Sequence, residues 1–116
     1  MKLIIAGSRN LDPNTAYEYI NEMCFKLRPL EIVSGNSGNV DEAGNLYAFN
    51  IGHKLTQFNP DWKLLGKAAG PIRNRKMAEY ADELLLIWDG ESPGSKSMKH
   101  EMEKLGKPIH EIICKR

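Results

Sequence analysis

Cysteine and histidine are scarce in this chain. Its 116 residues include 2 cysteines and 3 histidines. Cys24 and Cys114 make no metal pattern, and no cluster of His, Cys and Asp has metal-ligand spacing. No metal and no separate cofactor is therefore expected. No nucleophile stands beside a histidine in any recognisable arrangement, so any catalysis falls to carboxylates. Long apolar runs are also missing. Nothing approaches the roughly 18 residues of a membrane span, so no membrane partner is expected. The opening Met1–Gly7 is too short for a secretory signal and runs into Ser8-Arg9 instead of a small-residue cleavage site. Cys24 falls on a helical core face, which fits a reduced, cytoplasmic protein. Charge of one sign is absent too: 16 basic residues face 15 acidic ones, a net charge of +1. That balance argues against a broad nucleic-acid footprint, and an aromatic content of 8% offers few stacking platforms for a single strand. There is no internal repeat and no low-complexity segment.

What is present is an ordinary globular composition, 41% apolar and 27% charged. The length suits one domain over 1–116. Leu3-Ile4-Ile5-Ala6 and Leu84–Trp88 are continuous apolar runs, as expected of central strands buried on both faces. Glu31-Ile32-Val33, Lys54–Phe58 and Ile109–Ile113 are three further strands, the last two mixed in character and suited to edges. Between them lie helical patterns. Asp12-Pro13 opens one as cap and first residue, and Pro29 stops it. The second, capped by Asn39, carries a stripe of Val40, Ala43, Gly44, Tyr47, Ala48 and Ile51 and closes at Gly52. A third begins at Pro71 after a long loop, Asn59–Gly70. A fourth follows Ser92-Pro93-Gly94 and reaches about Leu105, where Gly106-Lys107-Pro108 breaks it. The alternation predicts an α/β fold: a single Rossmann-like, doubly wound, five-stranded parallel sheet of order 3-2-1-4-5 with helices on both faces. In that order the switch point lies between the first and fourth strands, and ligands bind at the strand C-termini there.

Three turns converge on this point. Gly7-Ser8-Arg9 follows the first strand, either as a ligand contact or as a plain strand-end turn. Ser34, Gly35, Gly38 and Asp41 belong to a Gly-rich turn opening the second helix. There Asp41 is a residue favoured by the helix dipole, an acceptor for sugar hydroxyls, or a general base. Asp89, Gly90, Ser92, Gly94, Ser95 and Lys96 form the third turn, a strand running into a helix start. The free N–H groups of such a helix start make an anion site. Arg73 falls on the inward stripe of the third helix, with Asn74 beside it. It suits phosphate recognition, or pairs with a carboxylate such as Asp89. Trp62 either stacks on a base or covers the sheet end. Asp41 and Asp89 are the catalytic candidates. His53 and His110 lie away from the turns, and His100 is off its helix's apolar stripe. Gly66-Lys67 lacks the upstream strand and glycine of a P-loop.

Taken together, Lys2–Arg9, the Ser34–Ala48 stretch, Phe58–Trp62, Gly66–Arg75 and Trp88–Ser95 resemble the SLOG superfamily. Within it they are similar to the small Rossmann-like branch related to YspA and cpYpsA, frequent in phages and bacteria. The superfamily includes the LOG nucleotide phosphoribohydrolases, the DNA-processing proteins Smf/DprA and sensor domains that bind NAD-derived nucleotides. The resemblance spans almost the whole chain and implies a nucleotide or nucleotide-derived ligand at the three turns. Two departures stand out. LOG enzymes carry a P-G-G-x-G-T-x-x-E turn with a catalytic glutamate, whose position here is Met98. The branch's Gly-Gly-Ala-Arg-Gly-Val-Asp turn appears as Gly35-Asn36-Ser37-Gly38-Asn39-Val40-Asp41, without the second glycine and the basic residue.

The leading expectation is a protein that binds a nucleotide-like small molecule, with the glycine turns and Arg73 holding phosphate and Asp41 and Asp89 holding hydroxyls. A hydrolase acting on an N-glycosidic or phosphate bond is the second. Single-stranded DNA binding of the DprA kind is the third, and charge balance counts against it. Related folds pair through helices, so a homo-oligomer is expected, acting in the host cytoplasm if the chain is phage-encoded.

Overall fold

A computed structural model describes residues 1–114. The last two positions of the expected 1–116 domain lie outside the described residues. Five parallel strands form one sheet: β1 (Lys2–Gly7), β2 (Glu31–Ser34), β3 (Lys54–Gln57), β4 (Glu83–Trp88) and β5 (Ile109–Ile113), in the order β3-β2-β1-β4-β5. The predicted topology is the observed one. β1 pairs with β4 over five residues, Leu3 to Gly7 against Glu83 to Ile87.

Alternation along the central strands divides the core into two. Leu3, Ile5, Ile32, Leu85 and Ile87 point to one face, where α1 (Pro13–Leu27) and α2 (Asn39–Ile51) bury Ala16, Ile20, Cys24, Val40 and Tyr47 against them. Ile4, Ala6, Val33, Leu84, Leu86 and Trp88 point to the other, beneath α4 (Ala69–Tyr80) and α5 (Pro93–Lys104), which contribute Met77, Ala78, Met98 and Met102. A strand buried on both faces must be apolar at every position, which is why β1 and β4 read as unbroken apolar runs. Such burial, at roughly 1.5–3 kcal/mol for each large side chain, is the main favourable contribution to the fold.

Helix ends follow local chemistry. Asp12 caps α1 by accepting the Thr15 N–H at 3.0 Å, and Arg28 closes it in the left-handed conformation (φ 51°). Four boundaries differ from the sequence expectation. Asn39 is the first residue of α2 and Gly38 its cap, because the Asn39 side chain instead donates to the Leu11 carbonyl at 3.0 Å. The stretch 59–70 is not a plain loop. It holds a short helix, α3 (Trp62–Leu65), capped by Asp61 through the Leu64 N–H at 3.1 Å, and a 3-10 turn at Gly66–Ala68. α4 therefore starts at Ala69, with Pro71 in its first turn, where its missing N–H costs no hydrogen bond. Phe58 lies just beyond β3, although its N–H still donates to the Ser34 carbonyl at 2.8 Å. None of the described helices is long and apolar enough to cross a membrane.

Candidate functional site

The turns after β1, β2 and β4 meet at the C-terminal end of the sheet around an open cavity of about 420 Å³. Each is locked by hydrogen bonds of its own. At the end of β1 the backbone runs so close to β4 that a Cβ on Gly7 would fall on the Ile87 carbonyl. The next N–H, of Ser8, donates to that same carbonyl at 3.1 Å. The Ser8 hydroxyl is buried and joins a closed circuit. It accepts from the Asp89 N–H at 3.1 Å and meets Ser92 Oγ at 2.9 Å, and Ser92 Oγ donates to Asp89 Oδ1 at 2.8 Å. A carboxylate only accepts, so the Ser92 proton goes to Asp89 and the Ser8 proton to Ser92.

Asp89 is the keystone of the β4 turn. Beyond the Ser92 hydroxyl, its Oδ1 accepts the N–H groups of Glu91 and Ser92, both at 2.9 Å. These bonds favour the charged form and hold the carboxyl down at about 2. An acid this strong and this engaged is a poor general base. The expected Arg73–Asp89 pair does not form, because Asp89 is satisfied by its own turn and Arg73 by another.

Ser92 occupies the N-cap position of α5 but spends its hydroxyl on Asp89, so the helix has no side-chain cap. The first intrahelical bond is Lys96 N–H to Ser92 carbonyl, at 3.0 Å. Pro93 has no N–H. The N–H groups of Gly94 and Ser95 thus stand uncapped at the cavity, where the helix dipole adds positive potential. Ser95 Oγ, in a residue 5% exposed, has no hydrogen-bond partner. A buried hydroxyl left unpaired is unusual in a native fold and marks a place where a partner belongs.

Asp41 and Arg73 form the opposite wall. Arg73 is a strut. Its Nη1 donates to the Gly35 carbonyl and, at 2.8 Å, to Ser37 Oγ, and its Nε donates to Asn74 Oδ1 at 2.9 Å. Nη2 is the guanidinium nitrogen with no protein partner among the described residues. Asn74 in turn ties α4 to α5 through Ser97 Oγ, at 3.2 Å. Asp41 accepts the Ser37 N–H at 2.8 Å. Burial pushes its carboxyl up to about 6, although that bond and the charges of Arg73 and Arg9 pull the other way. Arg9 is exposed at the rim and makes no ion pair among the described residues.

Of the residues singled out in the sequence, Gly7, Ser8, Arg9, Asp41, Arg73, Asn74, Asp89, Ser92, Gly94 and Ser95 line the cavity. Six do not. Ser34 is fully buried behind its turn. Gly35 lies under the Arg73 guanidinium and Gly38 under the Arg9 backbone, where a Cβ would come within 2.6 Å in either case. Gly90, at φ 87°, only turns the chain. Lys96 is exposed and off the cavity wall. Trp62 rides half exposed on α3, its ring facing Gly70. The wall also contains Asn10, Ser37, Glu91, Met77 and Met98, none of them a site candidate from the sequence. Met77 and Met98 lie four and three residues beyond Arg73 and Ser95, spacings that place them on the same helix faces. No group of three or more His, Cys, Asp or Glu side chains among the described residues could hold a metal ion.

The fold and the site define a Rossmann-like α/β domain with a ligand-sized cleft at its topological switch point. No protein-family model matches the chain. It is similar to DNA processing protein A (DprA) from Streptococcus pneumoniae, with a TM-score of 0.77 at 19% sequence identity, covering 93% of this chain and 48% of that one. The chain thus spans about half the length of DprA, and what the two share at this identity is the fold. Gene 61 protein of Mycobacterium phage D29 is 26% identical over 116 residues, covering 93% of each chain.

Proposed function

We propose that this protein binds a nucleotide or nucleotide-derived ligand through its phosphate at the N-terminus of α5. The observation that carries this reading is the unpaired, buried Ser95 Oγ beside the uncapped N–H groups of Gly94 and Ser95. Two free N–H groups and a hydroxyl at one helix start are the donors a tetrahedral oxyanion takes. Arg9 and Arg73 Nη2 supply positive charge across the cavity, and Asp41 an acceptor for sugar hydroxyls. The volume of about 420 Å³ lies in the range of small-ligand sites, about 300–1,000 Å³. The resemblance to the SLOG superfamily supports the same ligand class, and the phage relative is in keeping with action in a host cytoplasm; a homo-oligomer is proposed because related folds pair through helices.

The test is an NMR titration with nucleoside 5′-monophosphates and with inorganic phosphate. Phosphate-bearing ligands are expected to shift the amide signals of Gly94 and Ser95. Movement of those signals by no nucleotide or phosphate would reject the reading. DprA is by name a DNA processing protein, and a phosphorylated single strand offers the same end group. Affinity that climbs with oligonucleotide length and falls steeply with salt would reassign the site to DNA.

A second reading, hydrolysis of the bound nucleotide, is favoured by one observation. Asp41 lies on the cavity wall with its carboxyl near 6, where a general base works at neutral pH. Met98, at the position of the LOG glutamate, is buried and offers no acid–base group. Release of free base or phosphate on prolonged incubation, lost in Asp41→Asn, would establish turnover.

A further inference from the structure

Arg73 has a second cavity on its other side. This one, about 240 Å³, opens between the end of β3 and the start of α4, away from α5. It lies below the range of drug-sized pockets, about 300–1,000 Å³, and suits a single ring system better than a whole nucleotide.

Its polar wall is built by Arg73, Lys76 and an amide network that ends on Gln57 and Asn59. Asn36 is the hub, held in the left-handed conformation at φ 53°. Its Oδ1 accepts from Asn45 Nδ2 at 2.7 Å and from Gln57 Nε2 at 3.2 Å, and its Nδ2 donates to Asn59 Oδ1 at 2.8 Å. The Asn36 oxygen thus accepts from two amides while its NH₂ donates to a third. Two groups are left over. Gln57 retains an unengaged Oε1 acceptor and Asn59 an unengaged Nδ2 donor, with no partner among the described residues. Both side chains line the cavity. The apolar wall comes from Phe58, Leu65 and Ile72. The Phe58 ring is itself braced against Tyr80, 5.5 Å between centroids. The one carboxylate at the rim, Asp61, is occupied in capping α3.

We propose that this second cavity is a binding site for a nucleobase. A planar, apolar-faced ring enters a slot with one aromatic and two aliphatic walls, and its edge meets an acceptor and a donor side by side. An exocyclic amino group donates to Gln57 Oε1 while the neighbouring ring nitrogen accepts from Asn59 Nδ2. This is the amide-to-adenine pairing, shared here between two side chains. The site goes beyond the phosphate reading and stands without it, because no phosphate is needed for any of these contacts.

The experiment is an NMR titration of the isotope-labelled chain with adenosine, which carries no phosphate. The expected response is movement of the Gln57 and Asn59 side-chain amides and of the Leu65 and Ile72 backbone signals, with those of Gly94 and Ser95 unmoved. N6,N6-dimethyladenosine, which lacks the amino donor, binds about tenfold more weakly, as does adenosine to Gln57→Leu. Ile72→Trp fills the slot and abolishes binding. Ser95→Ala leaves adenosine affinity unchanged, which keeps this site distinct from the one at α5. Absence of shifts up to about 10 mM adenosine, shifts confined to α5, or equal affinity for the dimethylated nucleoside would each overturn the proposal.

Discussion

Arg73 Nη1 donates to Ser37 Oγ at 2.8 Å, joining α4 to the turn after β2. With the bonds to the Gly35 carbonyl and to Asn74, one buried guanidinium serves three acceptors from two parts of the chain. Arg73→Ala leaves the Asn74 amide oxygen unpaired and the Gly35 carbonyl with only the Ser37 hydroxyl, at 3.2 Å, and is expected to cost about 1–3 kcal/mol. Arg73→Lys recovers only a part, because a point donor cannot match the fork. Urea unfolding midpoints measure both. A variant within about 0.5 kcal/mol of the parent would show that the strut is dispensable. Loss of ligand in Arg73→Ala is therefore not by itself proof of contact.

Asp41 makes stability depend on pH. Burial raises its carboxyl from 3.8 to about 6 in the folded chain. The folded state then holds the proton more tightly than the unfolded state. The contribution is fully present below about pH 4 and is lost as pH rises through 6. Asp41→Asn keeps an oxygen for the Ser37 N–H and removes the buried charge. It is expected to match the parent at pH 4 and exceed it by about 1–3 kcal/mol at pH 8. Asp89 acts in the opposite sense and lower window, its stabilisation being lost as pH falls from 3.8 toward 2. The difference between parent and Asp41→Asn isolates the upper window. A difference that does not vary between pH 4 and 8 would contradict the buried-charge account.

The topology was legible because doubly buried strands and helical stripes leave different periods in the sequence, and β1 and β4 could only be central. Convergence of the three turns followed from the strand order. What was not legible was the use of each polar group. Ser92 looks like a cap, yet gives its hydroxyl to Asp89, a choice set by the three-dimensional placement of Ser8. Arg73 looks like a phosphate reader, yet its partners Gly35 and Ser37 lie 38 and 36 residues away. Trp62 has no pattern that tells which side of the sheet end it covers. Ser37 stands inside the Gly35–Asp41 turn with nothing in its residue type to mark it. Only its spacing of four from Asp41, across a turn that opens a helix, could have pointed to it.

Lys107 sits in what reads as a simple helix breaker, Gly106-Lys107-Pro108, and does more than break. Its ammonium donates to the carbonyls of Ala78 and Ala81, each at 2.7 Å, and of Glu79 at 3.2 Å. These are the orphan acceptors at the C-terminus of α4, where the dipole is negative. Lys107→Met keeps the stem and removes the donors, and is expected to cost about 1–2 kcal/mol. Amide exchange in the last turn of α4 should quicken with it. Unchanged exchange there would mean that solvent serves those carbonyls as well as the lysine does.

Gly94 and Ser95 allow stability and binding to be separated. A Cβ at Gly94 meets nothing within 4 Å, so the fold does not require glycine there. Gly94→Ala is expected to be as stable as the parent or more so, by up to about 0.5–1 kcal/mol from helix propensity. Ser95 Oγ has no partner, so Ser95→Ala removes a buried polar atom that contributes nothing to the folded chain and is expected to be neutral to stabilising. Binding runs the other way. If a phosphate rests on the two N–H groups and the hydroxyl, the added methyl narrows its approach and the lost hydroxyl removes a donor. Each variant then weakens nucleotide affinity about tenfold, and the pair together more. Calorimetric titration of the two single variants and the double variant, beside their melting temperatures, gives both readouts. Two variants as stable as the parent that still bind nucleotide at its full affinity would place the phosphate elsewhere in the cavity, on Arg9 and the free face of Arg73.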